Sequence, residues 1–214
     1  MKKTHKTFDT ESYAELTSTS KQPLTRAWEA DIARALEVLR HGGVIVYPTD
    51  TIWGIGCDAT NEEAVRKVFA LKGRADAKAM LSLVDSDGRL QRYVRNVPDV
   101  AWQIIDCATN PITIIYADVQ GLAPSLLAED GSAGLRITQE VFSRELCRRF
   151  GRPIVSTSAN VSGLPSPRCF DDIDADLLAR ADYVCTSRRN ERAPSRASSI
   201  IKIGRGGEIE IIRK

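Results

Sequence analysis

Three basic residues close together in the chain, Lys72, Arg74 and Lys78, are the first candidates for chemistry. Lysine and arginine also suit the C-terminal end of a helix, where backbone carbonyls are unpaired, so the group has a purely structural explanation as well. The glycine between Lys72 and Arg74 lets both side chains project from a sharp turn at an exposed helix end. An ammonium and a guanidinium held in this way can clamp a polyphosphate. The spacing therefore indicates an anion-binding site, and the structural explanation stays open.

Hydroxyl and amide side chains form three further groups, each next to an apolar segment. Thr49 and Thr51 follow the apolar run 44–47, and Gly54 and Gly56 nearby would let a ligand approach the backbone. The other two groups are STSANVSG at 156–163 and SRASS at 195–199. Each group could be an ordinary turn or helix cap, but α/β proteins also bind ligands at the ends of buried strands. The sequence has neither a Walker A loop nor a G-x-G-x-x-G loop, so a nucleotide would be bound by another arrangement.

The composition argues against several classes of protein. The chain has 214 residues, 43% of them hydrophobic and 27% charged, as in an ordinary soluble globular protein. It has no apolar run of the roughly 18–20 residues that a membrane helix needs, and its basic N-terminus lacks the apolar part of a secretory signal. Two histidines and five scattered cysteines argue against a Ser-His-Asp triad, a histidine metal site and disulfides. We expect reduced thiols, a cytoplasmic location and no membrane contact.

Arginines are grouped in two stretches, although the net charge is only +2. The first group is Arg144, Arg148, Arg149 and Arg152, and the second is Arg188, Arg189, Arg192 and Arg196. Solvated surface is the ordinary explanation for such groups, and a binding surface for a polyanion is the alternative. The loop 186–198, which carries the second group, has no large apolar residue to anchor it. We therefore predict that it is a mobile basic lid.

Helices are predicted at three places. Apolar residues at helical spacing predict a helix that begins near Trp28 and ends at Gly42. Thr60 and Glu63 match a capping box, which predicts a second helix that ends at Lys72. The third predicted helix is 140–150.

Apolar runs between turn residues predict the strands. They are 44–47, 80–84, 112–117, 134–137, 153–157, 182–185, 198–203 and 208–212. Alternating helices and strands predict a single α/β domain with a twisted mixed sheet over residues 27–214. Residues 1–26 are rich in Thr, Ser and Lys and are predicted to be a flexible arm.

Four motifs, taken in order, resemble the YrdC-like family of threonylcarbamoyl-AMP synthases. They are PTDT-x-W-G-I-G-C-D-A from Pro48, K-G-R from Lys72, S-T-S-A-N-V-S-G from Ser156 and S-S-I-I from Ser198. The resemblance runs from about residue 28 to 212. It implies an open, twisted mixed sheet with helices packed on it and a large concave basic cavity. The chain resembles the short form of the family, without the additional C-terminal domain.

The resemblance also implies an activity. The family is a nucleotidyltransferase family that joins L-threonine, bicarbonate and ATP into L-threonylcarbamoyl-AMP and pyrophosphate. The product serves the N6-threonylcarbamoyladenosine modification of tRNA. The implied partners are therefore tRNA and the proteins of the tRNA threonylcarbamoyl-transferase complex.

Individual residues take roles from the same resemblance. Lys72 and Arg74 are expected to be catalytic. The expected threonine contacts are Thr49, Thr51, Ser158 and Arg136. The expected ATP contacts are Arg74, Lys78, Thr113, Asn160 and Ser198. ATP is expected as a substrate that brings Mg²⁺ with it, and no metal site is expected in the protein itself.

The chain departs from the family pattern at several positions, one of which belongs to the expected threonine pocket. The departures are Ala75, Ala79-Met80, Leu83 in place of a histidine, the reduced motif Asn110-Pro111-Ile112-Thr113, and Lys202 in place of an aspartate. The phosphate clamp is kept but the amino-acid pocket is altered, so a changed substrate and a weakened activity are both left open.

A non-catalytic module that binds double-stranded RNA or tRNA is the alternative function. It rests on the two arginine groups and on the RNA binding described for related proteins. The sequence has no RNP, KH or other RNA-binding signature. Calorimetric titration with ATP and L-threonine, compared with titration with tRNA, would separate the two functions.

Overall fold

The computed structural model describes residues 24–73, 80–192 and 197–214. The helices in these ranges are α1 (Arg26–Arg40), α2 (Glu62–Lys72), α3 (Asp87–Tyr93), α4 (Asp99–Cys107), α5 (Val141–Phe150) and α6 (Ala175–Arg180). The strands are β1 (Ile45–Tyr47), β2 (Gly54–Gly56), β3 (Leu81–Val84), β4 (Ile112–Tyr116), β5 (Ala133–Ile137), β6 (Ile154–Ser158), β7 (Tyr183–Val184), β8 (Ser199–Ile203) and β9 (Ile209–Arg213). Two short 3₁₀ turns cover Pro124–Leu126 and Phe170–Asp172. None of the described helices could cross a membrane.

The strands of the described residues form one mixed sheet in the order β7-β1-β2-β6-β3-β5-β4-β8-β9. The pairs β1/β7, β3/β5 and β4/β8 are parallel, and the other neighbouring pairs are antiparallel. This confirms the predicted α/β fold with a mixed sheet. Strand β6 lies between β2 and β3, although it comes much later in the chain. The sheet therefore brings the segment after β6 beside the segments around β2.

Most predicted elements are present with ends within about two residues of their predicted positions, and the missed ones are short. The sequence patterns did not predict β2, α3, α4 or α6. Strand β2 reads GIG, and glycine normally disfavours a strand interior. Here Gly56 is required by packing, because a Cβ on it would lie 2.6 Å from the ring of Tyr47. The idea that Gly56 makes room for a ligand was therefore wrong, whereas Gly54 does line a cavity.

The ends of the first two helices differ in detail from the prediction. Helix α1 begins at Arg26, where Thr25 accepts a hydrogen bond from the Trp28 amide and caps it. Residues 1–23 of the predicted arm lie outside the described residues. The capping box of Thr60 and Glu63 was wrong, because Asn61 caps α2 by accepting from the amides of Glu63 and Ala64. The Thr60 hydroxyl donates instead to Asp58, at 2.7 Å.

The first arginine group is largely neutralised within the fold. Arg148 and Arg149 pair with Glu145, Arg149 also pairs with Glu29 on α1, and Arg152 pairs with Asp58. Arg149 thus ties α5 to α1, with 2.6 Å between its Nη1 and Glu29 Oε2. These contacts favour a structural role over a polyanion surface.

Replacing Glu145 by glutamine should make unfolding less sensitive to acid. Hydrogen bonds from Arg148 and Arg149 lower the pKa of Glu145 from 4.5 to about 2. Because the pKa is lower in the folded state, the stabilisation is complete above pH 4.5 and is lost as the pH falls towards 2. We expect a loss of about 1 kcal/mol at pH 7, which shrinks towards zero near pH 2.

The expected loss is measured by urea unfolding of the parent and of Glu145→Gln between pH 7 and pH 2.5. Glu37→Gln is the matched control, since Glu37 and its partner Arg34 are more than half exposed. An undiminished difference between Glu145→Gln and the parent at pH 2.5 would contradict the prediction.

Candidate functional site

One cavity of about 240 Å³ contains most of the residues singled out in the sequence. Its cationic residues are Lys72, Arg136 and Arg213. Its hydroxyl and amide residues include Thr51, Ser156, Ser158, Asn160, Ser162 and Ser198. No carboxylate residue lines the cavity among the residues that the structure describes. Such a cavity is suited to an anionic ligand with many hydrogen-bond acceptors.

Lys72 is buried at the cavity and is not at an exposed helix end, so that expectation was wrong. Only 2% of the residue is exposed. Its Nζ donates to the carbonyls of Ser158 and Asn160, at 2.6 and 2.8 Å, and lies 3.3 Å from the Asn160 amide oxygen. Gly73 ends α2 in the left-handed region, with φ 62°, where glycine is favoured. Lys72 thus brings positive charge to the cavity and also fixes the loop after β6.

Two expected phosphate contacts, Arg74 and Lys78, lie outside the described residues. Their roles stay predictions. Asn160 is described and lies in the cavity, where its amide group donates to the carbonyls of Val161 and Leu164. The cavity wall at 158–160 is therefore held from both sides, by Lys72 and by the Asn160 side chain.

Arg136 and Asp50 form a buried ion pair beside Thr51. Arg136 is 3% exposed, and its Nη2 lies 2.8 Å from Asp50 Oδ1 and donates to Thr51 Oγ1 at 3.4 Å. The ionic contact with Asp50 is not aligned as a hydrogen bond, and Arg136 Nε is buried without a partner. Burial raises the pKa of Asp50, and the charge of Arg136 opposes this rise. Arg136 therefore brings a buried positive charge to the wall of the cavity.

Asp50 is a site residue that sequence reasoning missed, although it stands inside the PTDT motif. The available signal was its position between Thr49 and Thr51. Of these two threonines, only Thr51 lines the cavity. Thr49 is 4% exposed, and its hydroxyl donates to the Ile52 carbonyl and accepts from the Thr51 amide. Thr49 therefore shapes the turn that presents Thr51.

Arg213 is the other site residue that the sequence did not reveal. It lies in β9, at one edge of the sheet, beside the predicted ATP contacts. Thr113 is buried behind Ser198, with 2.9 Å between their hydroxyl oxygens. Arg213 donates to the Ser198 carbonyl through Nε and Nη2, at 3.0 and 2.8 Å. Burial and the positive charge of Arg136 lower the pKa of Arg213. Two arginines therefore act on one cavity, which increases its affinity for anions.

One protein-family model matches most of the chain. Residues 37–214 match the family model Sua5/YciO/YrdC, described as telomere recombination. The chain belongs to this family.

Relatives in the Sua5/YciO/YrdC family carry informative names. The threonylcarbamoyl-AMP synthase of Shigella flexneri is 33% identical over 77% of this chain and 88% of its own length. A putative threonylcarbamoyl-AMP synthase of Methanocaldococcus jannaschii is 37% identical over 82% of this chain and 83% of its own.

Solved structures share the fold of this Sua5/YciO/YrdC member. E. coli YciO has a TM-score of 0.74 at 21% identity, over 90% of this chain and 91% of its own. P. abyssi Sua5 complexed with L-threonine has a TM-score of 0.73 at 22% identity, over 85% of this chain and 52% of its own. The chain therefore spans about half the length of that Sua5 protein.

The structure shows the surroundings of two residues at which the chain departs from the family pattern. Leu83, at the position expected for a histidine, is fully buried in β3 and pairs with Arg136 in the parallel β3/β5 register. Lys202, at the position expected for an aspartate, forms an ion pair with Asp130 at 2.7 Å. The first departure places a leucine beside Arg136 in the sheet, while the second is satisfied by a local partner.

Residues 186–192 of the predicted lid form ion pairs and hydrogen bonds with the rest of the fold, so the expectation that nothing anchors this loop was wrong for this part, and its role as a lid stays a prediction. Arg188 pairs with Glu140 and Glu191. Arg189 donates to the carbonyls of Cys185 and Val184 and lies over the Phe170 ring. Arg192 pairs with Asp171. The fourth arginine of this group, Arg196, lies outside the described residues.

Proposed function

We propose that this protein is an L-threonylcarbamoyladenylate synthase, a nucleotidyltransferase that uses L-threonine, bicarbonate and ATP. One observation carries the proposal. Residues from motifs far apart in the sequence, among them Lys72, Ser158, Asn160 and Ser198, line one cationic cavity. Relatives with 31–37% identity to this chain bear the name threonylcarbamoyl-AMP synthase, which supports the same conclusion.

The reaction needs two anionic partners to be held together. The neutral amine of threonine reacts with bicarbonate to give a carbamate and water. A carbamate oxygen then attacks the α-phosphorus of ATP, and the bond to the bridging oxygen breaks, so that pyrophosphate leaves with its electron pair. No covalent intermediate on the protein is required. Positioning and charge neutralisation can supply the rate enhancement.

The cavity offers separate places for these partners. Arg136 would bind the carboxylate of threonine next to Thr51, to which its Nη2 donates. Lys72 and Arg213 would offset the charge of the phosphates, together with Arg74 and Lys78 from outside the described residues. Ser198 and Asn160 would contact ATP, with Thr113 acting through Ser198.

Mg²⁺ would be held by the phosphate oxygens of ATP. Among the described residues no carboxylate lines the cavity, so its donors to a metal would be hydroxyl and amide oxygens. Bound in this way, Mg²⁺ would neutralise charge on the phosphates. The chain's own contribution is then to orient ATP and the carbamate.

The product would serve the N6-threonylcarbamoyladenosine modification of tRNA, handed on by the threonylcarbamoyl-transferase complex in the cytoplasm. The alternative of a non-catalytic RNA-binding module has less support. It rested on the RNA binding described for related proteins and on the two arginine groups, and most described members of these groups form ion pairs with acids of this chain.

The function can be tested by pyrophosphate release. The purified protein is incubated with ATP, Mg²⁺, bicarbonate and each of the common amino acids in turn. We expect release that depends on bicarbonate and is fastest with L-threonine. Release with another amino acid would reassign the substrate. No release with any amino acid, together with tight binding of tRNA, would favour the RNA-binding alternative.

A further inference from the structure

We propose that Arg188 is a positioning residue for the amino-acid end of the cavity, and that it does not bind phosphate. It would act by holding the turn that presents Thr51. The proposal deepens the proposed function, since it assigns Arg188 to the amino-acid substrate rather than to ATP.

Arg188 joins three separate segments of the chain. Its Nη1 donates to the Thr49 carbonyl at 3.1 Å and lies 3.1 Å from Glu140 Oε1. Its Nε donates to both carboxylate oxygens of Glu191, at 2.9 Å. The guanidinium is thus held between two acids while it contacts the backbone of the PTDT motif. A lysine could not make this set of contacts, because it lacks the planar fork of donors.

Glu140 gives this arrangement a rigid support. Its carboxylate caps α5 by accepting from the amides of Phe142 and Ser143, at 2.9 and 2.8 Å. It follows β5, the strand that carries Arg136. Arg188 therefore connects the Thr49 turn to the same segment that positions Arg136.

The contact continues to the cavity through the Thr49 turn. Thr49 Oγ1 accepts from the Thr51 amide at 3.1 Å and donates to the Ile52 carbonyl at 2.7 Å. Thr51 and Ile52 both line the cavity. Loss of the Arg188 contact would free the Thr49 carbonyl and let this turn shift, which would misplace Thr51 relative to Arg136.

Two further observations argue against a role for Arg188 in binding ATP. Its side chain is 19% exposed, it faces two carboxylates, and it is not among the residues that line the cavity. Its backbone also has φ 64°, a left-handed conformation that is uncommon outside glycine and persists only where surrounding contacts enforce it. Both observations fit a fixed support better than a mobile phosphate contact.

The test compares Arg188→Ala and Arg188→Lys with the control Arg192→Ala, which removes the same charge from the same loop. Arg192 is 57% exposed and pairs with Asp171. For both Arg188 variants we expect KM for L-threonine to rise by about tenfold, which is about 1.4 kcal/mol. KM for ATP should stay within about twofold, because the phosphate contacts are elsewhere. Simple destabilisation would lower the amount of active enzyme and leave both KM values unchanged.

Hydrogen exchange tests the same proposal without reference to activity. Amides at 49–52 should exchange faster in Arg188→Ala and Arg188→Lys than in the parent or in Arg192→Ala. Unchanged exchange there, or an equal rise in both KM values, would overturn the role of Arg188. If the parent protein released no pyrophosphate but exchange still increased at 49–52, the proposed function would fail while the holding role of Arg188 would stand.

Discussion

Replacing Lys72 by methionine should lower the rate of pyrophosphate release by about a hundredfold or more, the usual loss when one preorganised electrostatic contact is removed. The same change should also destabilise the protein. Methionine keeps the length of the side chain but removes the ammonium that binds the carbonyls of Ser158 and Asn160. The Ser158 carbonyl keeps the Asn160 amide as a donor, at 2.9 Å, so we expect the cost of about 1–3 kcal/mol to come mainly from the Asn160 carbonyl.

Lys67→Met is the matched control, because Lys67 lies on the same helix and its Nζ also donates to a carbonyl, that of Gly42, at 2.9 Å. It does not line the cavity, so we expect nearly normal turnover. Urea unfolding and pyrophosphate release are measured on both variants. A Lys72→Met protein that is less stable but turns over normally when folded would show that Lys72 has a structural role only.

Replacing Arg136 by methionine should have the largest effect on stability, about 3–5 kcal/mol at pH 7, because it leaves the buried Asp50 without its ionic partner. It should also abolish saturable binding of L-threonine. The double variant Asp50→Asn with Arg136→Met removes both charges, so we expect most of the stability to return while binding stays lost. This pattern would separate the role of Arg136 in the fold from its role in the cavity.

The pH dependence of the Arg136→Met variant provides a second measurement. Burial already raises the pKa of Asp50 above 3.8, and loss of Arg136 would raise it further. A carboxyl with a raised pKa in the folded state loses stability as the pH rises from 3.8 through that pKa. The difference in unfolding free energy between this variant and the parent should therefore shrink as the pH falls from 7 towards 4. A constant difference over this range would contradict the expected further rise of the Asp50 pKa in the variant.

Much of the architecture was predictable from local patterns. Apolar spacing located α1 and α5, and apolar runs between turn residues located most strands, because burial of one face imposes a period on the sequence. The same patterns did not predict β2, because its two glycines are unusual in a strand. They also predicted the wrong cap for α2. At α2 the capping box predicted Thr60 as the cap, but the Thr60 hydroxyl contacts Asp58 and Asn61 caps the helix instead.

The sequence motifs were enough to name six residues that line the cavity, Lys72, Thr51, Arg136, Ser158, Asn160 and Ser198. What each of them does there depends on the fold. The fold buries Lys72 against a loop 86 residues away, pairs Arg136 with Asp50, and adds Arg213 to the cavity. These contacts arise because the sheet places β6 between β2 and β3. The charge partner and the burial of each residue depend on this order of strands. The strand order cannot be read from the local sequence around each residue.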